Sequence, residues 1–527
     1  MALGRTRAVA LTGLEGHLVD VEAHAVSGLP GFTLVGLPDA ALRESKERVR
    51  AALSSCGVAW GEHRVTINLF PADLRKTGTG FDLSLALAVL GALGVIPPGG
   101  ASRLAQVMLV GELGLDGSVH PVRGVLPAVA AAVAAGLEQV VVAAGCEAEA
   151  RLVRGAQVRG VRHVGELVLE YGGRLKEPVR RALEQLLETG APAVRARAVA
   201  PETPQVPDLR EVVGQAQARR ALEVAAAGGH HLLLVGPPGA GKTMLAERLP
   251  GILPPLEHED AVTVTSIHSL AGSFNPDQGL LTAPPLRAPH HTATRAAVVG
   301  GGSGTPRPGD VSLAHRGVLF LDEAPEFSSG VLDCLRQPLE SGTVTIDRVA
   351  GRATYPAAFQ LVMAANPCPC GKASGRGLEC TCTSLQRRRY FSRLSGPLLD
   401  RLDIQVEVGP VQAADLVGLE PSEPSAVVAE RVRAARERTA RRLAGTPWRL
   451  NAQVPGSWLR GPDSGTDPRL VSRLMEALER GVLSLRGVDR VLRLAWTLAD
   501  LAGQRTPGAT ELGAALSLRT RGGGYGG

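Results

Sequence analysis

Gly236-Pro237-Pro238-Gly239-Ala240-Gly241-Lys242-Thr243-Met244 is the stretch that decides how this chain is read. The apolar residues 231–235 precede it, and Met244-Leu-Ala-Glu-Arg-Leu opens a helical pattern after it. The pattern is G-x-x-x-x-G-K-T in a strand–loop–helix setting. Glycines at those places let backbone N–H groups close around phosphates, and the helix start adds the positive end of its dipole. The spacing assigns Lys242 to the β- and γ-phosphates of ATP and Thr243 to Mg²⁺.

Other residues complete a hydrolytic site around that loop. Residues 318–321, Val-Leu-Phe-Leu, run into Asp322 and Glu323. A buried strand ending in two acids supplies a Mg²⁺ carboxylate, Asp322, and a general base for water, Glu323. Asn366 ends the apolar run 359–365 and is placed to orient that water against the γ-phosphate. Arg401, after a helical turn in Ser395-Gly-Pro-Leu-Leu-Asp-Arg401, is read as an arginine finger entering a neighbouring subunit's site. Arg486, in Ser484-Leu-Arg-Gly487, is read as touching the γ-phosphate in cis. Gln215, in Val212-Val-Gly-Gln, is counted with the nucleotide-binding residues.

The 527 residues are too many for one core. Residues 1–170 read as one α/β unit, with strands near 19–26, 32–35, 65–69, 107–110 and 139–142 and helices near 39–54, 83–93 and 127–136. Residues 171–208 read as a charged helix and then an Ala/Pro-rich linker, residues 209–410 as a second α/β unit, 411–520 as a helical unit and 521–527 as a flexible tail. No apolar run reaches the roughly 18 residues that a membrane span needs. With no secretory signal pattern at residues 1–22, a cytoplasmic location and no membrane partner are expected. A net charge of +6 permits an anionic partner without demanding one.

Four of the seven cysteines fall in two C-x-C pairs, Cys368/Cys370 and Cys380/Cys382. Four thiolates on one loop suit tetrahedral Zn²⁺, with Gly371, Gly375 and Gly377 letting the loop fold back. The alternative is four reduced thiols on a flexible loop. Cys56, Cys146 and Cys334 read as ordinary buried residues. Residues 282–310 carry Arg287, His290, His291, Thr292, Thr294 and Arg295 and then a glycine run, a composition suited to gripping phosphates. A metal site at the paired histidines is disfavoured because no carboxylate lies at ligand spacing, and a structural polar cluster is the plainer alternative. Arg348 and Arg352 fall near the tip of a hairpin expected over 343–352. The Arg-rich helix at 430–442 reads as a solvated face.

These segments together resemble the magnesium-chelatase branch of AAA+ proteins, and more closely the ComM/YifB family. The resemblance is carried by VEAHAVSGLPGFTLVGLPDAALRESKERVRAAL (21–53), NLFPADLRKTGTGFDLSLALAVL (68–90), the phosphate-loop segment 223–255, LRAPHHTATRAAVVGGG (286–302), LAHRGVLFLDEAPEF (313–327) and RLSGPLLDRLDI (393–404). It implies an α/β fold class: a Lon-protease-like α/β N-terminal domain, an AAA+ P-loop α/β domain with a central parallel sheet, and a C-terminal helical lid. It also implies a homo-hexameric ring acting on single-stranded or branched DNA as a branch-migration helicase in recombination and natural transformation. The alternatives are a remodelling ATPase with a non-DNA client and a metal-insertion motor of the magnesium-chelatase kind.

Peptidase activity is not expected. Residues 111–122, beginning Gly111-Glu-Leu-Gly, resemble a Lon peptidase segment, and that family uses a Ser nucleophile with a Lys base. Gly80 aligns with the Ser, and no lysine follows Pro121 in Val122-Arg-Gly-Val-Leu126-Pro-Ala128. Thr77 and Thr79 are nucleophiles only if a base comes from elsewhere.

Overall fold

The computed structural model describes residues 3–58, 63–189, 206–302, 306–348, 351–373, 379–410 and 422–519. Most of the expected linker, the terminal tail, Gly375 and Gly377 lie outside these residues.

The N-terminal unit is built on a seven-stranded mixed sheet. Its order is Gly31–Val35, His63–Phe70, Glu15–Ser27, Leu3–Thr12, Met108–Val110, Gln139–Ala143, Gln157–Val161. Antiparallel pairs join Leu3–Thr12 to Glu15–Ser27 and the latter to His63–Phe70, and the remaining pairs are parallel. Every residue of the helix Asp82–Ala92, DLSLALAVLGA, is buried. A helix apolar all round has no face for water, and this one packs against the two central strands and the helix Ala40–Ser55. Gly4 makes the approach of strand and helix possible, because a Cβ there would stand 1.8 Å from the Ala88 carbonyl oxygen.

Asp82, at the start of that buried helix, is fully enclosed. It accepts from Arg48 Nε at 2.6 Å and Nη2 at 3.1 Å and from the Leu113 N–H at 3.2 Å. Burial pushes its carboxyl above the usual carboxylate range against the opposing pull of Arg48. One ion pair thus ties two helices to the segment at 112–113.

The expected strands and helices of this unit are present. Several further elements were not anticipated, among them the strands Leu3–Thr12 and Gln157–Val161 and the helices Pro98–Leu104 and Val164–Glu170. The charged helix past residue 170 spans Glu177–Glu188 and buries only Leu183, which lies beside Gly165.

The second sheet has five strands, all parallel, in the order Leu286–Arg287, Val318–Leu321, Gln360–Ala365, Leu232–Val235, Ile404–Glu407. Its three inner strands, LLLV, VLFL and QLVMAA, are buried at every position and apolar at all but Gln360, because both faces are covered. Leu232, Leu234, Val318, Phe320, Val362 and Ala364 enter one core with the helix Ala216–Gly228 and the C-terminal helices. Leu233, Val235, Leu319, Leu321, Met363 and Ala365 enter another with Phe327, Val344, Ile346 and Tyr355.

The C-terminal helices include Ser425–Arg442, Pro468–Glu479, Leu485–Ala502 and Ala509–Ser517. Asp500 binds them together, accepting from Thr439 Oγ1 at 2.8 Å, Arg442 Nη2 at 2.7 Å and Asn451 Nδ2 at 2.9 Å. His230, just before the phosphate-loop strand, contacts Asp403 Oδ2 at 2.9 Å and Thr497 Oγ1 at 2.8 Å, which fixes the helices to the sheet. The two large units also meet: Glu149 accepts from Ser269 Oγ on the helix His258–Ala271 at 2.5 Å and from the Leu126 N–H at 2.9 Å.

Replacing Arg48 with Met leaves Asp82 buried without its cation. The expected loss is about 2–3 kcal/mol, less than for a fully enclosed pair because Arg48 keeps some solvent contact. Denaturant unfolding checks it, and an unchanged midpoint contradicts it.

Candidate active site

In a parallel sheet all strands end at one edge. Val235 pairs in register with Ala365, and Leu321 with Met363. The phosphate loop, Asp322–Glu323 and Asn366 therefore emerge side by side. They line an open cleft of about 380 Å³ with Pro238, Gly239, Ala240, Gly241, Lys242, Thr243, Met244 and Ala365.

Gly239 (φ +76°) and Gly241 (φ +85°) hold the left-handed conformations that turn the loop. Lys242, 8% exposed, opens the helix Lys242–Arg248. Its Nζ donates to the Gly236 carbonyl at 2.7 Å, the Pro237 carbonyl at 2.9 Å and Asn366 Oδ1 at 3.2 Å. Burial lowers its pKa, and the charges of Asp322 and Glu323 oppose that. Thr243 Oγ1 donates to Asp322 Oδ2 at 2.7 Å, so the hydroxyl and the carboxylate form an adjacent pair of hard oxygen donors, the chemistry Mg²⁺ prefers.

Glu323 has φ +48°, a left-handed conformation that costs a non-glycine residue about 1–3 kcal/mol. Its own N–H donates to Asp322 Oδ1 at 2.8 Å, and its Oε2 lies 3.4 Å from His291 Nδ1. This corrects the sequence reading of His291: a carboxylate does stand near it, brought by the fold from the neighbouring strand. His290 packs on His291 with ring centres 4.1 Å apart. Gln215 (φ +51°) donates to the Gly409 carbonyl at 2.6 Å and the Ala240 carbonyl at 3.4 Å, and so braces the loop from behind.

Two arginines are not in this cleft. Arg401 pairs with Glu340 and donates to the Pro397 carbonyl at 2.5 Å. Arg486 donates to Asp400 at 2.8 Å and is not among the residues lining the cleft. Arg287 is likewise engaged, donating to Asp310 at 3.0 and 2.7 Å, whereas Arg295, Arg348 and Arg352 are exposed.

The four clustered cysteines converge. Their ligand atoms all lie within 4.8 Å of one another. Cys368 Sγ is 3.3 Å from Cys370 and 3.6 Å from Cys380, and Cys370 is 3.7 Å from Cys380. A tetrahedron with Zn–S bonds of about 2.3 Å separates its sulfurs by about 3.8 Å. A backbone N–H from Lys372 and the neighbouring Cys368 thiol bring the Cys370 thiol down to about 6, while burial pushes Cys368 up to about 12. Cys56 and Cys146 are buried as expected, but Cys334 is only partly so.

In the N-terminal unit Thr79 Oγ1 donates to Glu112 Oε2 at 2.6 Å, and Arg123 stands exposed where a base would follow Pro121. Ser118 lies 2.5 Å from Asp116 and 3.0 Å from His120, so the acid contacts the serine rather than orienting the histidine.

The comparisons with known proteins match this arrangement. Family models described as Subunit ChlI of Mg-chelatase, Magnesium chelatase, subunit ChlI, and Magnesium chelatase, subunit ChlI C-terminal cover residues 21–145, 208–416 and 422–519. YifB of Escherichia coli (strain K12), itself uncharacterized, is 40% identical over 507 residues, 95% of this chain and 94% of its own. Competence protein ComM of Haemophilus influenzae is 39% identical over 529 residues, 98% of each chain. The chain belongs to the ComM/YifB family. An uncharacterized protein of Mycobacterium tuberculosis (strain ATCC 25618 / H37Rv) is 50% identical over 523 residues, 99% of each chain. Lon protease 2 of Bacillus subtilis is 31% identical over 148 residues, 26% of each chain, in keeping with a Lon-like unit in the fold. As a member of this family the chain is an ATP-binding AAA+ ATPase of the magnesium-chelatase type. No helix among the described residues is long and apolar enough to cross a membrane.

Lys242→Ala is expected to abolish ATP binding, read with a fluorescent ATP analogue. Arg401→Ala is expected to bind the analogue and not hydrolyse ATP. Mixing these two variants should restore part of the ATPase rate if Arg401 acts on a neighbour, and a mixture as inactive as its components contradicts that role.

Proposed function

We propose that the chain is a ring-forming motor that uses ATP hydrolysis to move DNA, with branched recombination intermediates as its substrate. The observation that carries the proposal is the contact between His291 and Glu323. It places the segment 286–302, composed to grip phosphates, directly against the residue assigned to activate water. A backbone pulled at that segment would move the base. The likeness to a competence protein agrees with a DNA role.

The assigned chemistry follows from the cleft. On ATP binding Lys242 would exchange its carbonyl acceptors for the β- and γ-phosphate oxygens. Thr243 and Asp322 would hold Mg²⁺, which would supply charge neutralisation for the phosphates. Asn366 orients a water, and Glu323 takes its proton as the oxygen attacks the γ-phosphorus and the bond to the ADP oxygen breaks. Arg401 of the adjacent subunit completes charge stabilisation from outside the cleft, the geometry expected of a hexamer.

A protein client is the second reading, favoured by the engagement of Arg287 with Asp310, which removes one cation from the phosphate-gripping set. Displacement assays on forked and four-way DNA, with Lys242→Ala as control, separate the two. ATP-dependent displacement by the wild type alone supports the DNA motor. No displacement, and no change of ATPase rate with any DNA, contradicts it and favours the protein client.

The four-cysteine loop is assigned a structural zinc ion, on the sulfur separations and the four-thiol donor set. Metal analysis of the purified protein is expected to find about one zinc per chain, lost in the Cys370→Ser, Cys382→Ser variant.

A further inference from the structure

The cysteine loop does not hang free of the nucleotide cleft. It leaves the sheet at Asn366, whose Oδ1 accepts from Lys242 Nζ at 3.2 Å, and Cys368 follows two residues later. Gly371, one residue past Cys370, lies flush on the phosphate loop. With φ +75°, it has no room for a side chain: a Cβ would stand 2.6 Å from Pro238 Cδ and 2.7 Å from Pro238 Cγ. At the far end, Cys382 abuts Thr383, which caps the helix Ser384–Ser392 in a reciprocal pair with Gln386. The next residue after that helix, Arg393, donates to the Pro325 carbonyl at 3.0 Å and to Glu326 at 2.8 Å, just beyond Glu323.

The loop therefore touches the phosphate loop and continues the Asn366 strand end, and the helix that follows it is anchored by Arg393 to the turn at Pro325–Glu326. Closing the loop costs chain entropy, which a metal bound by four thiolates from both ends would offset. We infer that the metal at Cys368, Cys370, Cys380 and Cys382 is a clamp on the nucleotide site. With the metal bound, Gly371 is pressed on Pro238 and the phosphate loop is held in its binding shape. With the metal lost, the loop relaxes and ATP binds more weakly. This rests on the zinc assignment above. It adds that zinc and ATP binding are thermodynamically linked, and linkage is reciprocal: whatever factor zinc contributes to ATP affinity, ATP contributes to zinc affinity.

The test uses the full-length protein in saturating Mg²⁺. ATP affinity is measured with a fluorescent analogue before zinc removal by a zinc-selective chelator, after it, and after zinc is restored. The Kd is expected to rise by about five-fold or more on removal and to recover on restoration. Gly371→Ala separates the clamp from mere stabilisation. It is expected to keep its zinc and to unfold only slightly earlier than the wild type, since the left-handed backbone strains an alanine, yet to bind the analogue less tightly, because the methyl pushes Pro238 away. A non-hydrolysable ATP analogue should slow zinc release to a chromogenic chelator in the wild type, and less so in Gly371→Ala.

Each failure has its own signature. A chain that purifies without zinc and takes up none on titration overturns the zinc assignment and the clamp with it. A zinc-loaded chain whose ATP Kd is unmoved by removal of the metal overturns the clamp alone. A Gly371→Ala variant with wild-type affinity shows that the Pro238 contact is not the route.

Discussion

The in-register parallel pairing of Leu232–Val235, Gln360–Ala365 and Val318–Leu321 is the constraint on which the rest depends. Parallel strands end together, and these end in a glycine loop, an asparagine and two acids. A shift of one residue in any strand would turn its side chains to the opposite face and move its terminal group along the edge. The double burial of the sheet prevents this, since alternate residues of each strand are committed to two different cores. The helices that cover one face are fixed in turn by Asp500 and by the contacts of His230 with Asp403 and Thr497. Packing far from the cleft thus determines the distances within it.

Much of this was legible in the amino-acid order because the signals were local. The Gly239 and Gly241 turn, the apolar run ahead of Asp322 and the capped start at Ser484 each declare themselves within a few residues. The buried helix Asp82–Ala92 was legible by composition alone. What escaped was set by tertiary pairing. Leu3–Thr12 alternates weakly and becomes a strand because Glu15–Ser27 pairs with it over its whole length. Gln157–Val161, QVRGV, is an edge strand with little apolar pattern of its own.

The site follows the same division. The residues of the cleft were found from motif spacing, but the approach of His291 to Glu323 spans two strands that are adjacent only in the folded sheet. Spacing in the chain cannot reveal a contact of that kind. The same holds for Arg486, where the sequence shows a helix start and the fold shows the ion pair with Asp400. The convergence of the cysteines was foreseeable from two C-x-C pairs, whereas the seating of Gly371 on Pro238 was not.

The central claim is that the edge formed by Lys242, Thr243, Asp322, Glu323 and Asn366 hydrolyses ATP with Glu323 as base. Pre-steady-state hydrolysis and ATP binding measured side by side for the wild type and Glu323→Gln test it most directly. Glu323→Gln is expected to bind ATP within about two-fold of the wild type and to hydrolyse it about 100-fold or more slowly. Hydrolysis by Glu323→Gln at the wild-type rate would contradict it.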